Sequence, residues 1–299
     1  MKLYKTKITP ISNFITPIKG DTLFGQMCWA IRFAYGEDKL KKMLSDYDTA
    51  PFLIVSDAFT SGYFPKPTMP SKYLKENSEN KKINRKKIWL TLDQLVNGSF
   101  NSAKTDKDIR NTHKSESVVK NAINYKTFTT GDGFDPFAMK ESFISPQDIY
   151  FLIRDDFSLD ELKKSLTLVA NMGYGKKSTI GKGRFLFNDF EEINIKNRSR
   201  TFMTLSAFTP MGIDCEKLYY EPFTRFGKSG ANRANTNAFK KPILLADVGA
   251  VVSYKKTKEL NYIGKEITNI STYKDIVHQG YSIVIPIKEI WNEKQNSSW

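Results

Sequence analysis

The sequence predicts an α+β protein in which a strand and helix alternation fills the first two thirds of the chain and a strand-rich series fills the rest. Two amphipathic helical runs, each followed by a β-prone run, carry the first part of that prediction. A fresh set of β-branched and aromatic runs after Arg200 carries the second. The 299 residues suit two domains. With 40% hydrophobic and 13% aromatic residues, the chain can bury an ordinary core.

Residues 2–9, KLYKTKIT, place Leu3, Lys5 and Lys7 on one face of a strand and Tyr4, Thr6 and Ile8 on the other. After the turn-forming TPIKGD, Asp21 is positioned to cap a helix with apolar positions Leu23, Phe24, Met27, Cys28, Ile31, Ala34 and Tyr35. That helix is apolar nearly all round, which predicts burial, and Gly36 stops it. EDKLKKMLSDY then supplies a second helical piece with Leu40, Met43, Leu44 and Tyr47 on one face. PFLIVSDAF, after Pro51, reads as a buried strand, and DIYFLIRDD supplies the next one around Ile149–Arg154. Ser158 opens a capping box with Glu161, and Leu159, Leu162, Leu166, Val169 and Ala170 follow at helical spacing until Gly173. A last strand runs from Arg184 to Phe190.

The order βαββαβ is that of a ferredoxin-like fold, shared with the RNA-recognition motif. Between the second and third strands, residues 60–147 are too many for a connection and predict an insertion with structure of its own. The domains expected are therefore 1–195, with that insertion, and 196–299. In the second, TFMTLSAF, PILLADVGAVVSY and YSIVIPI read as strands, and a degraded copy of the first fold is the preferred interpretation.

Charge narrows the function. The 46 Lys and Arg exceed the 32 Asp and Glu by 14, which favours a polyanionic partner, foremost a nucleic acid. From Ser61 to Thr130 there are 14 basic and six acidic residues, so the insertion holds +8 of the excess. Cys28 and Cys215 form no C-x-x-C pair, so neither a metal nor a structural disulfide is expected, and the setting is read as a reducing cytoplasm. The longest apolar run, LFGQMCWAI, ends at Arg32, too short for a membrane span, and the amino terminus has no apolar signal core.

The stretch NMGYGKKSTIGKGRFLF concentrates Gly173, Gly175, Gly181, Gly183, Lys176, Lys177, Lys182 and Arg184 without an acid. A Walker loop counted from Gly175 needs glycine where Ile180 stands, and Gly183 follows Lys182 where Ser or Thr is required. The dinucleotide pattern fails at Ser178, and the loop leaves a helix for a strand instead of the reverse. A nucleotide pocket is excluded. Glycine-exposed amides, the hydroxyls of Ser178 and Thr179, and four cations instead suit phosphates along a strand, with Tyr174 as a stacking face for a base.

Within that stretch, GYGKKSTIGKGRF resembles the glycine-rich loop of the RAMP superfamily of CRISPR proteins. The helix opening KGDTLFGQMCWAI, the strand PFLIVSDAFTSGYFPKP and the segment EPFTRFGKSG extend the resemblance over most of the chain. The sequence as a whole resembles the fourth-subunit family of type III-A (Csm) effector complexes. The resemblance implies two RAMP domains and a noncatalytic subunit without a cofactor. It implies partners too: the 5′ tag of the CRISPR RNA, the large polymerase-like subunit, the backbone RAMP subunit, and target RNA in the assembled complex. Carried over, the RNA-binding positions are Gly173 to Arg184, Lys19, Gly20, Asp21, Thr22, Arg225, Phe226, Gly227 and Lys228, with a protruding thumb between His113 and Phe128.

Alternatives attach to several of these residues. Asp21 is a helix cap before it is a phosphate or nuclease residue, although sibling backbone subunits cut RNA with an aspartate. His113, in the basic RNTHKSES, is an RNA contact, an unengaged surface residue, or the general acid or base of a metal-independent CRISPR-RNA-processing endoribonuclease. His278 has no feature beyond being the second histidine. Tyr219, Tyr220, Phe223 and Phe226 interleave with Lys217, Arg225 and Lys228, a pattern suited to unstacked bases, while Tyr219 and Phe223 taken singly read as core. KKINRKK, Lys81–Lys87, reads as a solvated run that adds nonspecific attraction. A general RNA chaperone is the third functional class.

Overall fold

The computed structural model describes residues 1–76, 78–130, 133–195, 197–230, 233 and 238–289. Strand β1 (Lys2–Pro10) buries Tyr4, Thr6 and Ile8 and leaves Lys7 and Thr9 exposed, as its alternation requires. Helix α1 (Gly20–Tyr35) follows and ends at Gly36, whose φ of 90° lets its N–H return to the Arg32 carbonyl. Next come α2 (Glu37–Leu44), β2 (Leu53–Val55) and β3 (Phe59–Thr60).

The insertion is structured, as its length predicts. It contains β4 (Phe64–Pro65), α3 (Lys81–Lys86), β5 (Trp89–Leu90) and α4 (Leu92–Asn97). A hairpin of β6 (Lys114–Lys120) and β7 (Phe137–Phe143) completes it, in register from Lys114↔Phe143 to Lys120↔Phe137. Phe14 and Ser142 exchange backbone hydrogen bonds of 2.9 and 2.7 Å, which fix the hairpin base beside the end of β1. Of the insertion, residues 77, 131 and 132 lie outside the described residues.

Strand β8 (Gln147–Ile153) is the centre of the first sheet. Six of its seven residues are buried, Asp148 through Ile153, which explains the continuous apolar run where a half-covered strand would alternate. Then come α5 (Leu159–Met172), β9 (Phe185–Phe187) and β10 (Glu191–Glu192). The Ser158 capping box forms as read: the Glu161 N–H donates to Ser158 Oγ at 3.2 Å and the Ser158 N–H to Glu161 Oε2 at 2.8 Å. The sheet order is β10–β1–β8–β2, with β9 also on β1 and β3 also on β8, all antiparallel. The strand expected over Arg184–Phe190 is shorter, Phe185–Phe187, and a second short one follows beyond that range at Glu191–Glu192. Between them the Asn188 N–H still reaches the Lys7 carbonyl at 2.9 Å.

The remaining third is made of β11 (Arg198–Thr204), β12 (Lys217–Tyr219), β13 (Pro222–Arg225), β14 (Ile243–Ala246), β15 (Val251–Glu259), β16 (Tyr262–Gly264) and β17 (Tyr281–Pro286). They form a sheet of order β12–β15–β11–β17–β16 and a separate β13–β14 ribbon. Among the described residues no α-helix follows Met172. PILLADVGAVVSY, read as one run, is two strands because Gly249, at φ +83°, turns the chain between them.

One apolar cluster joins both parts: Ile8, Leu23, Phe24, Phe151 and Leu166 share it with Met203, Leu205, Val251, Ile283 and Ile285. Gln279, fully buried, completes the seam. Its side-chain amide accepts from the Val55 N–H at 2.9 Å and donates to the Val55 carbonyl at 2.8 Å, pairing β2 as another strand would.

The start of α1 is jammed against the end of β2. A Cβ on Gly20 would lie 2.2 Å from the Val55 carbonyl oxygen, whereas one on Gly25 would meet nothing within 4 Å. Gly20→Ala is therefore expected to destabilise the protein by about 3 kcal/mol, and Gly25→Ala to stabilise it by up to about 1 kcal/mol. Chemical denaturation of the two variants checks the opposite signs; equal effects would refute the packing described.

Candidate nucleic-acid interface

The glycine-rich loop is a rigid bracket. Gly173, Gly175, Gly181 and Gly183 all have φ between 74° and 90°, and Lys177 joins them at 66°. Three of the glycines are also sterically required. A Cβ would fall 2.3 Å from the Lys182 carbonyl at Gly173, 2.8 Å from Thr16 at Gly175, and 2.1 Å from the Tyr174 carbonyl at Gly183. The bracket closes on itself through Tyr174 N–H to the Gly183 carbonyl (2.8 Å) and Gly183 N–H to the Asn13 carbonyl (2.9 Å). The Lys176 and Arg184 amides donate to the hydroxyls of Thr16 and Ser12 at 3.0 and 2.8 Å. Ser178, Thr179 and Ile180 form a single 3₁₀ turn, in which the Gly181 N–H returns to Ser178.

This geometry corrects two expectations. Tyr174 is no stacking face: it is fully buried, and its hydroxyl accepts from the Lys19 N–H and donates to the Pro17 carbonyl, both at 3.0 Å. Burial pushes its phenol well above the usual range. The ring is a peg that fastens the loop to the start of α1. The amides of Tyr174, Lys176, Ile180, Gly181, Lys182, Gly183 and Arg184 are likewise spent inside the protein, so a backbone grip on phosphate is confined to Gly175, Lys177, Ser178 and Thr179, and the rest falls to side chains.

Of the four cations, Lys182 is already engaged. It meets Glu141 Oε2 at 2.5 Å, the same carboxylate that takes Lys120 at 2.7 Å and Asn13 at 2.7 Å. Those three donors hold the Glu141 carboxyl down at about 2 despite its burial. Glu141 thus pins the loop to the β6–β7 hairpin. Lys176, Lys177 and Arg184 are exposed, and among the described residues none of them meets a carboxylate.

A second cluster lies at the amino end of α1 and corrects the expectation for Lys19, Gly20, Asp21 and Thr22. The N-cap is Lys19, with no side-chain capping bond, and Asp21 belongs to the first turn. Asp57 does the capping from across the chain, accepting from the Gly20 N–H at 2.8 Å, so that amide is not open to a phosphate. Lys19 Nζ lies 2.8 Å from Asp57 and 2.9 Å from Asp247. Burial works against its ammonium, yet the two aspartates hold its pKa above the ordinary lysine value. Burial lifts the Asp57 carboxyl to about 6 against the opposing pull of Lys19 and Gly20.

Asp21 is buried and takes a two-pronged ion pair from Arg225, with Nε at 2.7 Å and Nη2 at 2.6 Å. His278 Nε2 stands 3.4 Å away on the same carboxylate, too poorly aligned for a hydrogen bond. Burial alone would raise the Asp21 carboxyl; His278 and Arg225 hold it well below the usual range. Thr22 donates to Asp21 Oδ1 at 3.2 Å. Arg225 is therefore a clamp and not an open RNA contact, while its neighbours Phe226 and Lys228 are exposed and Gly227 is half-buried. Sequence reading missed the partners Asp57, Asp247 and His278; His278 stood out only as one of two histidines.

His113 is exposed at the foot of the hairpin, its N–H bonded to Asn111 Oδ1 at 3.2 Å. At the hairpin's far end Tyr125 and Phe128 are 77% and 84% exposed, which makes the segment read as a thumb a projecting apolar tip. Ala231 and Asn232, in the aromatic and basic segment, lie outside the described residues.

Comparison with known proteins gives the family. No curated protein sequence matches significantly. Among solved structures, a chain in a crystal structure of a Csm1–Csm4 cassette with AMPPNP superposes with a TM-score of 0.62 at 15% identity, covering 96% of this chain and 98% of that one. A chain in a Csm3–Csm4 subcomplex of the type III-A CRISPR-Cas interference complex gives 0.59 at 15% identity, over 97% and 100%. At such identities the likeness is one of fold. A family model described as the RAMP superfamily matches residues 12–186, from the segment that supports the bracket through β9. The match takes in β2, β3 and β8 of the first sheet, the buried opening of α1 and the glycine bracket, and the chain belongs to the RAMP superfamily.

Proposed function

We propose that this chain is a noncatalytic, RNA-binding fourth subunit of a type III-A Csm effector complex. It holds the 5′ tag of the CRISPR RNA and joins the large polymerase-like subunit to a backbone RAMP subunit, in the cytoplasm, with target RNA arriving in the assembled complex. One observation carries the reading: a glycine-built bracket presents Lys176, Lys177 and Arg184 unpaired to solvent. Unneutralised cations on a backbone that is already fixed suit a phosphate chain, because the loop itself needs little ordering on binding. The Csm1–Csm4 and Csm3–Csm4 assemblies that share the fold support the choice of protein partners. No helix among the described residues is long and apolar enough to cross a membrane.

The first domain, 1–195, reads as ferredoxin-like. Its sheet runs in the order fourth, first, third and second strand of a βαββαβ unit. The second, 196–299, reads as a copy reduced to its strands. The projecting β6–β7 hairpin serves as the thumb, its apolar tip facing outward from the basic insertion.

A holding role, not a cutting one, fits both candidate catalysts. Both Asp21 oxygens are taken by Arg225 within a buried site, so the carboxylate has no approach to an RNA 2′-hydroxyl. Among the described residues the His113 imidazole meets no acid, base or orienting group.

Two measurements follow. Affinity for single-stranded RNA should fall with salt, and replacing Lys176 and Lys177 by Ala should lower the logarithmic slope by up to roughly 1.4, about 0.7 per phosphate released; an unchanged slope and affinity would remove the loop from the interface. Labelled repeat RNA incubated with the protein and chelator should stay intact. Cleavage that disappears in His113→Ala would show an endoribonuclease instead.

A further inference from the structure

The β13–β14 ribbon continues past its paired strands. The Lys240 N–H donates to the Gly227 carbonyl at 2.9 Å and the Ser229 N–H to the Ala238 carbonyl at 2.7 Å, and Lys228 stands opposite Phe239. Exposure alternates strictly along the first strand. Pro222, Thr224, Phe226 and Lys228 face outward; Phe223, Arg225, Gly227 and Ser229 face inward. On the second strand Phe239, Lys241 and Leu244 face outward. Between Arg225↔Ile243 and Lys228↔Phe239 the register slips by one residue, taken up where Lys241 and Pro242 are both exposed.

The inner face explains why the ribbon is held still. Phe223, Ile243 and Leu245 pack in their own apolar cluster, and Arg225 makes the ion pair with Asp21. The outer face has no such occupant. Phe226 and Phe239 are 73% and 66% exposed, Leu244 is 64% exposed, and Lys228 Nζ lies 4.2 Å from the Phe239 ring centroid. Phe226 stands diagonal to Phe239 on this face, a separation of roughly 7–8 Å in a regular ladder. No acid stands among these outward residues; Glu221 and Asp247 lie at the ribbon's base.

We propose that this outer face is a second RNA-binding surface, on which Phe226 and Phe239 stack successive unpaired bases while Lys228 and Lys241 neutralise the flanking phosphates. The proposal rests on the RNA-binding reading above and extends it to Phe239 and Lys241, which lie beyond the residues assigned there. Two exposed rings interleaved with lysines, on a ribbon fixed from behind, match the stacking platforms of single-strand binders. The charge is complementary to RNA and unfavourable for a basic partner protein. Arg225 contributes from the inner face as a positioning residue.

The test uses the full-length chain and a fluorescein-labelled oligouridine of about eight nucleotides, with binding followed by anisotropy across a salt series. Replacing Phe226 and Phe239 together by Leu should weaken binding at least about tenfold with the salt slope unchanged, and Tyr at both positions should restore it. Replacing Lys228 and Lys241 by Ala should lower the slope by roughly 1.4. All six side-chain changes are on the exposed face, so unchanged thermal unfolding is expected alongside. If ribbon variants bind like wild type while the Lys176 and Lys177 variant does not, the ribbon proposal falls and the loop assignment stands. If ribbon variants keep RNA affinity but lose a copurifying subunit, the face belongs to a protein partner and the proposal is overturned. If the wild-type chain does not bind the oligouridine at all, the RNA-binding reading falls with it.

Discussion

The ion-pair cluster at the amino end of α1 is the constraint on which the architecture turns. Asp21, four residues from Gly25 and one from the sterically fixed Gly20, is buried where the first sheet meets the strand-rich remainder. A buried carboxylate without a partner is costly, and Arg225 and His278 both reach it from distant parts of the chain. Lys19 does the same in the opposite sense, drawing in Asp57 and Asp247. Each pair leaves its partner uncompensated if broken, so the β13–β14 ribbon cannot drift from α1 without exposing charge mismatch on both sides. Specific placement, more than net stability, is what such a cluster provides.

From that seat the two surfaces proposed to meet RNA are positioned. Tyr174 runs from the glycine bracket to the backbone of Lys19 and Pro17, so the loop shares its anchor with the clamp. Glu141 ties the same loop to the hairpin through Lys182 and Lys120. Cations that looked interchangeable in sequence thereby divide into those that build the site and those that remain for a ligand. Lys19, Lys182 and Arg225 belong to the first group; Lys176, Lys177, Arg184 and Lys228 belong to the second.

Local signals were legible in the sequence. The alternation of β1, the capping box at Ser158, the helix stop at Gly36 and the structured insertion all rest on contacts a few residues apart or on periodicity. The glycine loop was legible because positive φ and close backbone approach leave glycine as the residue that fits. What escaped depends on contacts between remote positions. Asp21 and Arg225 are 204 residues apart, and Tyr174 is 155 from the amide it accepts from. A tyrosine in a basic glycine loop looks the same from sequence whether its ring faces solvent or the core. Its partner hydroxyl bonds decide, and those are tertiary. The same holds for His278, whose significance lies wholly in its distance from Asp21.

Arg225 as a structural clamp is tested most directly by a double-mutant cycle of Asp21→Asn and Arg225→Met, followed on the free energy of unfolding. Each single change should destabilise the chain by about 3 kcal/mol, because each strands a buried charge or polar group. The double variant should cost clearly less than their sum, with a coupling of about 2 kcal/mol. Additive effects, with Arg225→Met leaving stability untouched and lowering RNA affinity instead, would contradict the clamp and return Arg225 to the interface.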